Sequence, residues 1–252
     1  MVKSRAFSIM AGVMITGCVL ACRPAEAIPW VASGTGGDGA LDGQADFTIS
    51  AGKIVVTVTN LLSPTVIRSA GQEVSDVIFT ISNAPGTNGT NTAAGQLVNT
   101  NGTGVPTNVG GTPGRWVGLE PGKGSFGISG STITLETIGG GKPTEMILPA
   151  DNGGGYPNAN GNFDNFNPNV DGPATFTLPL SGVTASTTIS SVSISFGTGP
   201  DTTLTAHPVP APLIGHGLLA LLGIGGVLFG GKLLENAKNT RYDTAWCAEP
   251  RF

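Results

Sequence analysis

The stretch "ATFTLPL", residues 174–180, alternates without a break: Ala174, Phe176, Leu178 and Leu180 fall on one side, Thr175, Thr177 and Pro179 on the other. A period of two is that of a strand with one dry and one wet face. Pro179 has no amide hydrogen to give, which puts it at a sheet edge or a strand end. The same pattern recurs along the chain. "ADFTIS" pairs Phe47 with Ile49, "KIVVTVTNLL" groups Ile54, Val56 and Val58, and "SDVIFTIS" groups Val77, Phe79 and Ile81. "SSVSISFG" sets Val192, Ile194 and Phe196 against serines. "GSFGISGSTITLE" reads as a hairpin with Gly130-Ser131 at its tip, glycine taking the first position of a type II′ turn. Half-wet strands bury their dry faces against one another. The pattern predicts an all-β fold, an antiparallel β-sandwich of the jelly-roll-like or Ig-like kind with about eight to ten strands.

Composition agrees. Of 252 residues, 40 are Gly and 18 are Pro, and charged residues make up 11%, well below the roughly 25% of ordinary soluble domains. Straight-chain helix formers are scarce and β-branched residues common. The loops are long, with residues 83–114 nearly all Gly, Asn, Thr and Pro and only "QLV" (residues 96–98) as a strand candidate. No repeat of fixed period is present.

Both ends differ from the middle. Lys3 and Arg5 precede an apolar stretch from Ala6 to Cys22, and "AEA" ends at Ala27. This is the layout of a signal helix over residues 1–27, cleaved between Ala27 and Ile28. "ITGC" and "VLAC", ending at Cys18 and Cys22, offer a lipid-anchored alternative. Near the other end, "LIGHGLLALLGIGGVLFGG" (residues 213–231) is nineteen residues long, enough to cross a hydrocarbon core of about 30 Å as a transmembrane helix. Residues 207–212 form a proline-rich linker before it, with Pro208, Val209, Pro210, Ala211 and Pro212 as its motif. Lys232, Lys238 and Arg241 follow it, so the positive-inside rule puts residues 232–252 in the cytoplasm and residues 28–206 outside. His216 sits near the start of the run, where a neutral imidazole reaches the interface, and Gly226 and Gly230 form a GxxxG pair. Cys18, Cys22 and Cys247 all lie outside the sheet region, so its stability rests on packing rather than disulfides.

Residues 28–212 carry five basic residues (Lys53, Arg68, Arg115, Lys123 and Lys142) against twelve acidic ones. An acidic surface repels phosphate backbones, which argues against nucleic acid as a partner. The only histidines, His207 and His216, fall in the linker and the apolar run. His-dependent nucleophilic triads and His-based zinc chemistry are therefore missing from the sheet region, and the expectation is a non-enzymatic domain with no catalytic residues, metal or cofactor. A carboxylate pair working as in glycosidases is the enzymatic alternative, which would need two facing acids about 5–10 Å apart. The reading of those acids as solvated loop charges outweighs it. "NANGNFDNFNPNVDG" supplies Asn158, Asn160, Asn162, Asp164, Asn167, Asn169 and Asp171, and "DGALDGQAD" supplies Asp38, Asp42 and Asp46. Both are oxygen-rich enough for a weak Ca²⁺ site but lack EF-hand spacing, and Asn and Asp favour turns for local reasons. Trp30, Trp116 and Tyr156 are the broad rings available for stacking on sugars, and Trp116 in "RWVGL" reads equally as core.

The layout of signal, Gly/Thr/Ser/Asn-rich region, "PVPAP", apolar run and basic end resembles the PEP-CTERM-type tails of exosortase-dependent bacterial surface proteins. "RSAGQEVSDVIFTIS", "EMILP" and "FNPNVDGPATFTLPLSGVTASTTISSVSISFGTGPD" are similar to a region found with such tails. The sequence departs from the pattern in two places. Val209 or Ala211 stands where the motif's Glu would be, and the end is "NAKNTRYDTAWCAEPRF" rather than an Arg cluster. The resemblance implies an exported cell-surface or matrix protein. It would be held at the inner membrane as a single-pass intermediate, then cut near the proline motif by an exosortase-like enzyme, with exopolysaccharide as a further partner.

Overall fold

The computed structural model describes residues 27–199 and 202–210. They form thirteen strands: β1 (Ile28–Gly36), β2 (Gly39–Ser50), β3 (Lys53–Asn60), β4 (Val74–Ile81), β5 (Gly86–Thr87), β6 (Thr92–Thr100), β7 (Pro106–Asn108), β8 (Ser125–Ser129), β9 (Thr132–Glu136), β10 (Ile147–Leu148), β11 (Asn169–Ser181), β12 (Ile189–Phe196) and β13 (Thr202–Pro208). Three short 3₁₀ turns, Ala70–Gln72, Gly114–Val117 and Asp164–Phe166, complete the described residues.

The strands do not form two facing sheets. The ladder runs β11-β3-β2-β1-β13-β12-β4, and β10 joins its two ends by pairing with Val170 and Asp171 of β11 and with Val74 of β4. Eight strands thus close into a barrel. This corrects the expected β-sandwich: the domain is a single sheet closed on itself. Alternation marks a dry face without saying whether that face meets a second sheet or curls onto itself. The closing element is a two-residue strand inside "EMILP", too short to show any period. The signal helix over residues 1–27 (Ala27 apart) and the transmembrane helix over residues 213–231 lie outside the described residues. Among the described residues no helix is long and apolar enough to cross a membrane.

The inward faces are those the alternation marks. Phe47, Ile49, Ile54, Val56, Val58, Val77, Phe79, Leu178, Leu180, Val192, Ile194 and Phe196 are buried together. Phe47 of β2 meets Phe79 of β4 across the interior, with ring centroids 4.8 Å apart and planes at 59°. Gly43 of β2 makes room for the opposite wall, since a Cβ there would sit 3.1 Å from Phe196 Cζ and 3.3 Å from Ile194.

Two pairs of strands extend outward as wings: β6-β7 from β11 and β9-β8 from β4. β8 and β9 are the expected hairpin, with Gly130 at φ 61° in its turn. The 3₁₀ turn Gly114–Val117 touches β6, β8 and β9 and so spans both wings. Its Trp116 is fully buried and stacks on Phe176 of β11 at 5.2 Å.

The registers fix two rims. Ile28, the Ser50–Lys53 turn and Ile81 share one rim with Ile189 and Pro208. Gly36, Asn60, Val74, Phe196 and Thr202 mark the other. The chain enters at Ile28 and leaves after Pro208 beside it, because Trp30 pairs with Pro208 and Val209 N–H donates to Pro29 O at 2.9 Å. The long loops gather at the far rim.

Candidate functional site

At the far rim, backbone geometry first fixes Arg115. The turn Gly114–Val117 ends on Gly118 at φ 69°, a left-handed cap whose N–H donates to Arg115 O and Gly114 O. Arg115 is almost fully buried. Its Nη1 donates to Lys142 O at 3.0 Å and to Thr144 Oγ1, and its Nη2 donates to Gly139 O at 3.2 Å, while Nε has no partner among the described residues.

Glu145 faces it from the next loop. Its backbone adopts φ 65°, a left-handed conformation that costs a side-chain-bearing residue roughly 1–2 kcal/mol. Three bonds hold it there: Glu145 N–H donates to Pro168 O, Arg115 N–H donates to Glu145 Oε2 at 2.9 Å, and Trp116 Nε1–H donates to Glu145 O at 2.7 Å. Burial pushes the Glu145 carboxyl up to about 7, and the nearby Glu120 carboxyl, within hydrogen-bonding range, pushes the same way; the Arg115 N–H bond and charge oppose them.

These residues line a cavity of about 380 Å³ with Lys123, Lys142, Asn167 and Pro168. Lys123 Nζ lies 4.0 Å from Glu120 and forms the only ion pair among the described residues. Lys142 lines both this cavity and a second one of about 280 Å³, walled by Asp38, Ser69, Gly71, Asn162, Asn165, Phe166 and Thr198. Lys142 Nζ lies 5.1 Å from the centroid of the Phe166 ring. Three of the five basic residues in an otherwise acidic domain thus converge on one cavity.

Beneath the rim lies a layer of buried polar groups. Asn60 Nδ2 donates to Gln72 O and Ile147 O, and Gln72 Nε2 donates to Ala40 O. These bonds tie β3, β10 and β2 together. Glu73 is fully buried and its carboxyl is raised well above the usual range by desolvation. With its amide turned to suit its neighbours, Asn169 donates to Glu73 Oε2 at 3.2 Å. Asp76 is pushed up to about 7 by burial, with the Glu136 charge adding to the rise and a Ser195 bond opposing it. Burial also pushes the Tyr156 hydroxyl up, helped by Asp171, whose Oδ1 accepts from it at 3.0 Å. Glu73, Asp76 and Glu145 are thus interior groups, which corrects their reading as solvated loop charges. Glu73 and Glu145 fall in a turn and a loop, where no period exists, and Asp76 lies inside β4 on the face that the alternation of Val77, Phe79 and Ile81 marks as wet.

The residues singled out from sequence are scattered. Pro208 is the last residue of β13, Val209 is bonded to Pro29, and Pro210 is the last described residue. Ala211, Pro212, His216, Lys232, Lys238 and Arg241 lie outside the described residues. Ala27 and Ile28 are exposed where β1 begins. Trp30, Trp116 and Tyr156 are all buried, so they form no solvent-facing platform for sugars.

The Asn-rich loop uses its side chains on backbone. Asn158 donates to Thr65 O, Asn160 Oδ1 accepts from Asn162 N–H, and Asn167 bonds both N–H and O of Thr100. Asp171 Oδ1 accepts from Asp151 N–H as well as from Tyr156. Asp46, on the outer face of β2, accepts both bonds from Gln44 Nε2. No group of three or more His, Cys, Asp or Glu side chains placed to hold a metal occurs among the described residues.

Compared with protein-family models, curated proteins and solved structures, the chain matches none.

Proposed function

We propose that this is an exported, non-enzymatic cell-surface or matrix protein whose C-terminal tail is the substrate of an exosortase-like sorting enzyme. The apolar run 213–231 would hold the exported chain at the inner membrane, and cutting near Pro208–Pro212 would release or transfer the barrel to the surface. The observation that carries the reading is the pairing of Trp30 with Pro208. Both chain ends leave from one rim, Ile28 and Val209 are exposed apolar residues there, and the loops with the cavities crown the opposite rim. A barrel tethered by either end would therefore turn its cavities away from the membrane.

Fractionation with mass spectrometry of each fraction tests the sorting reading. It requires a full-length form at the inner membrane and a shorter form, ending near the proline motif, outside it.

A further inference from the structure

We infer that Asn88 is a site of spontaneous modification: its side-chain amide closes onto the backbone nitrogen of Gly89 and is lost as ammonia, and the product loosens β5 from β11. This goes beyond the sorting reading and does not rest on it.

The reaction asks three things of an asparagine. The next residue must leave its nitrogen unhindered, which glycine does best because it has no Cβ. That nitrogen must not be tied to an acceptor. The side-chain amide must be free to turn. Four asparagines precede glycine in this chain: Asn88, Asn101, Asn152 and Asn160.

The fold ties three of them. Asn101 Oδ1 accepts from Thr103 N–H at 3.1 Å, Thr103 Oγ1–H at 2.8 Å and Val105 N–H at 2.9 Å. At Asn152 the attacking nitrogen is held, since Gly153 N–H donates to Asp151 Oδ1 at 2.9 Å, and Asn152 Nδ2 donates to Ala150 O at 3.2 Å. Asn160 Oδ1 accepts from Asn162 N–H at 3.0 Å. Attack makes the side-chain carbon tetrahedral and swings its oxygen and nitrogen aside, so these bonds must break first. Asn88 and Gly89 are both exposed. Asn88 N–H donates to Pro179 O at 3.1 Å, but neither the Asn88 side chain nor the Gly89 nitrogen makes a hydrogen bond among the described residues.

The step balances with water alone. Gly89 N bonds to Asn88 Cγ and gives its proton to solvent, the Cγ–Nδ2 bond breaks, and ammonia leaves behind a cyclic imide. Water then opens the imide. Addition at Cγ leaves an aspartate; addition at the backbone carbonyl carbon leaves an isoaspartate, whose main chain runs through Cβ and Cγ and is one carbon longer. Nothing is oxidised or reduced.

The position gives that extra carbon an effect. β5 and β6 both pair with β11, Thr87 opposite Leu180 and Thr92 opposite Thr177. Residues 88–91 bridge the two pairings over one stretch of the same strand. Gly89 lies against Pro179, where a Cβ would stand 3.2 Å from Pro179 Cβ, so the bridge has no slack on that side. An isoaspartate lengthens the bridge while both ends are pinned. β6 is held by six residue pairs and β5 by two, so β5 gives way.

The test is ageing of the purified full-length chain in warm, mildly alkaline buffer, followed by peptide mapping with mass spectrometry. The mass gain of an amide-to-acid change should appear first at Asn88. It should run about five- to tenfold faster there than at Asn101, Asn152 or Asn160, the factor set by having one hydrogen bond fewer to break. In urea the four sites should react at similar rates. Asn88→Gln, whose longer side chain closes the ring poorly, should remove the fast gain. Hydrogen exchange of the aged chain should show residues 86–87 losing protection while residues 92–98 keep theirs, and aged Asn88→Gln should keep both. Three outcomes overturn the proposal: a faster or equal gain at another Asn-Gly pair in the folded chain, the same ranking in urea, or unchanged exchange at residues 86–87 in chains that carry the modification. All are read without any processing of the tail, so they are separate from the fate of the sorting reading.

Discussion

Trp30 and Pro208 lie opposite each other across the β1–β13 ladder, one near the first described residue and the other near the last. The proline motif therefore does not begin in a free linker. Its first proline is the end of a barrel strand, and the next residue, Val209, still donates its N–H to Pro29 O. An enzyme that reads the motif would meet it directly at the rim, with the β1 entry alongside.

That geometry sharpens the expectation for processing. Replacing Pro210 and Pro212 by Ala, with Pro208 left in its strand, should trap the full-length form at the inner membrane without unfolding the barrel. Mass spectrometry of membrane and surface fractions reads this directly, with the mature chain expected to start at Ile28. If residues 242–252 persist at the surface in every fraction, the tail is a permanent tether and the sorting reading fails.

Stability should fall as the solution becomes more alkaline. Asp76 titrates near 7 in the barrel against an ordinary 3.8, and Glu145 near 7 against 4.5, both chiefly through burial. Each folded-state value is raised, so the folded protein binds the proton more tightly than the unfolded chain. The stabilisation is complete below about pH 4 and is lost as pH rises through 7, at about 1.4 kcal/mol per pH unit for each group in that window. The melting temperature should therefore drop between pH 5 and pH 8, and Asp76→Asn should flatten the profile. An upward slope over that range would contradict these assignments.

Interior packing predicts a clear contrast. Gly43→Val would drive a methyl group into Phe196 and Ile194, which should cost about 1–3 kcal/mol in denaturant unfolding. Val105→Ala, at a position 54% exposed, should change stability by less than about 0.5 kcal/mol. Similar values for the two would mean that β2 and β12 do not face each other across a closed interior.

The Asn-rich loop should not answer to metal. Its side chains already bond Thr65, Thr100 and neighbouring backbone. EDTA should therefore leave the melting temperature of the full-length chain unchanged, and Ca²⁺ should not raise it. A shift of several degrees restored by Ca²⁺ would make residues 158–171 a metal site.

Most of the strands could be read from alternation. Phe176, Leu178 and Leu180 fall on the buried face that "ATFTLPL" marks, and Val192, Ile194 and Phe196 do the same for "SSVSISFG". What alternation could not carry was closure, because Ile147–Leu148 is too short to have a period and is buried on both faces. β6 shows a related blind spot. Its "TAAGQLVNT" follows β11 with a slipped register between Asp171 and Thr175, at Gly172 and Pro173. The far-rim cavity was hidden for a different reason. Arg115, Glu120, Lys123, Lys142 and Glu145 are spread over residues 115–145, on either side of the β8–β9 hairpin, and only the folded loops bring them together. The one clue in the sequence was how few basic residues there are, and that three of them fall between positions 115 and 142.

Closure by so small a strand has a consequence for a protein that would live crowded among copies of itself. An open sheet offers neighbouring molecules a row of unpaired amides along each border, and such borders invite runaway stacking into fibres. Here the ring has no border. Among the described residues, the unpaired margins that remain are those of β5, two residues long, of β7, three residues long and begun by Pro106, and of β8, five residues long with Gly127 at its centre. A dense layer of these barrels could stay a layer of separate molecules, held side by side without fusing.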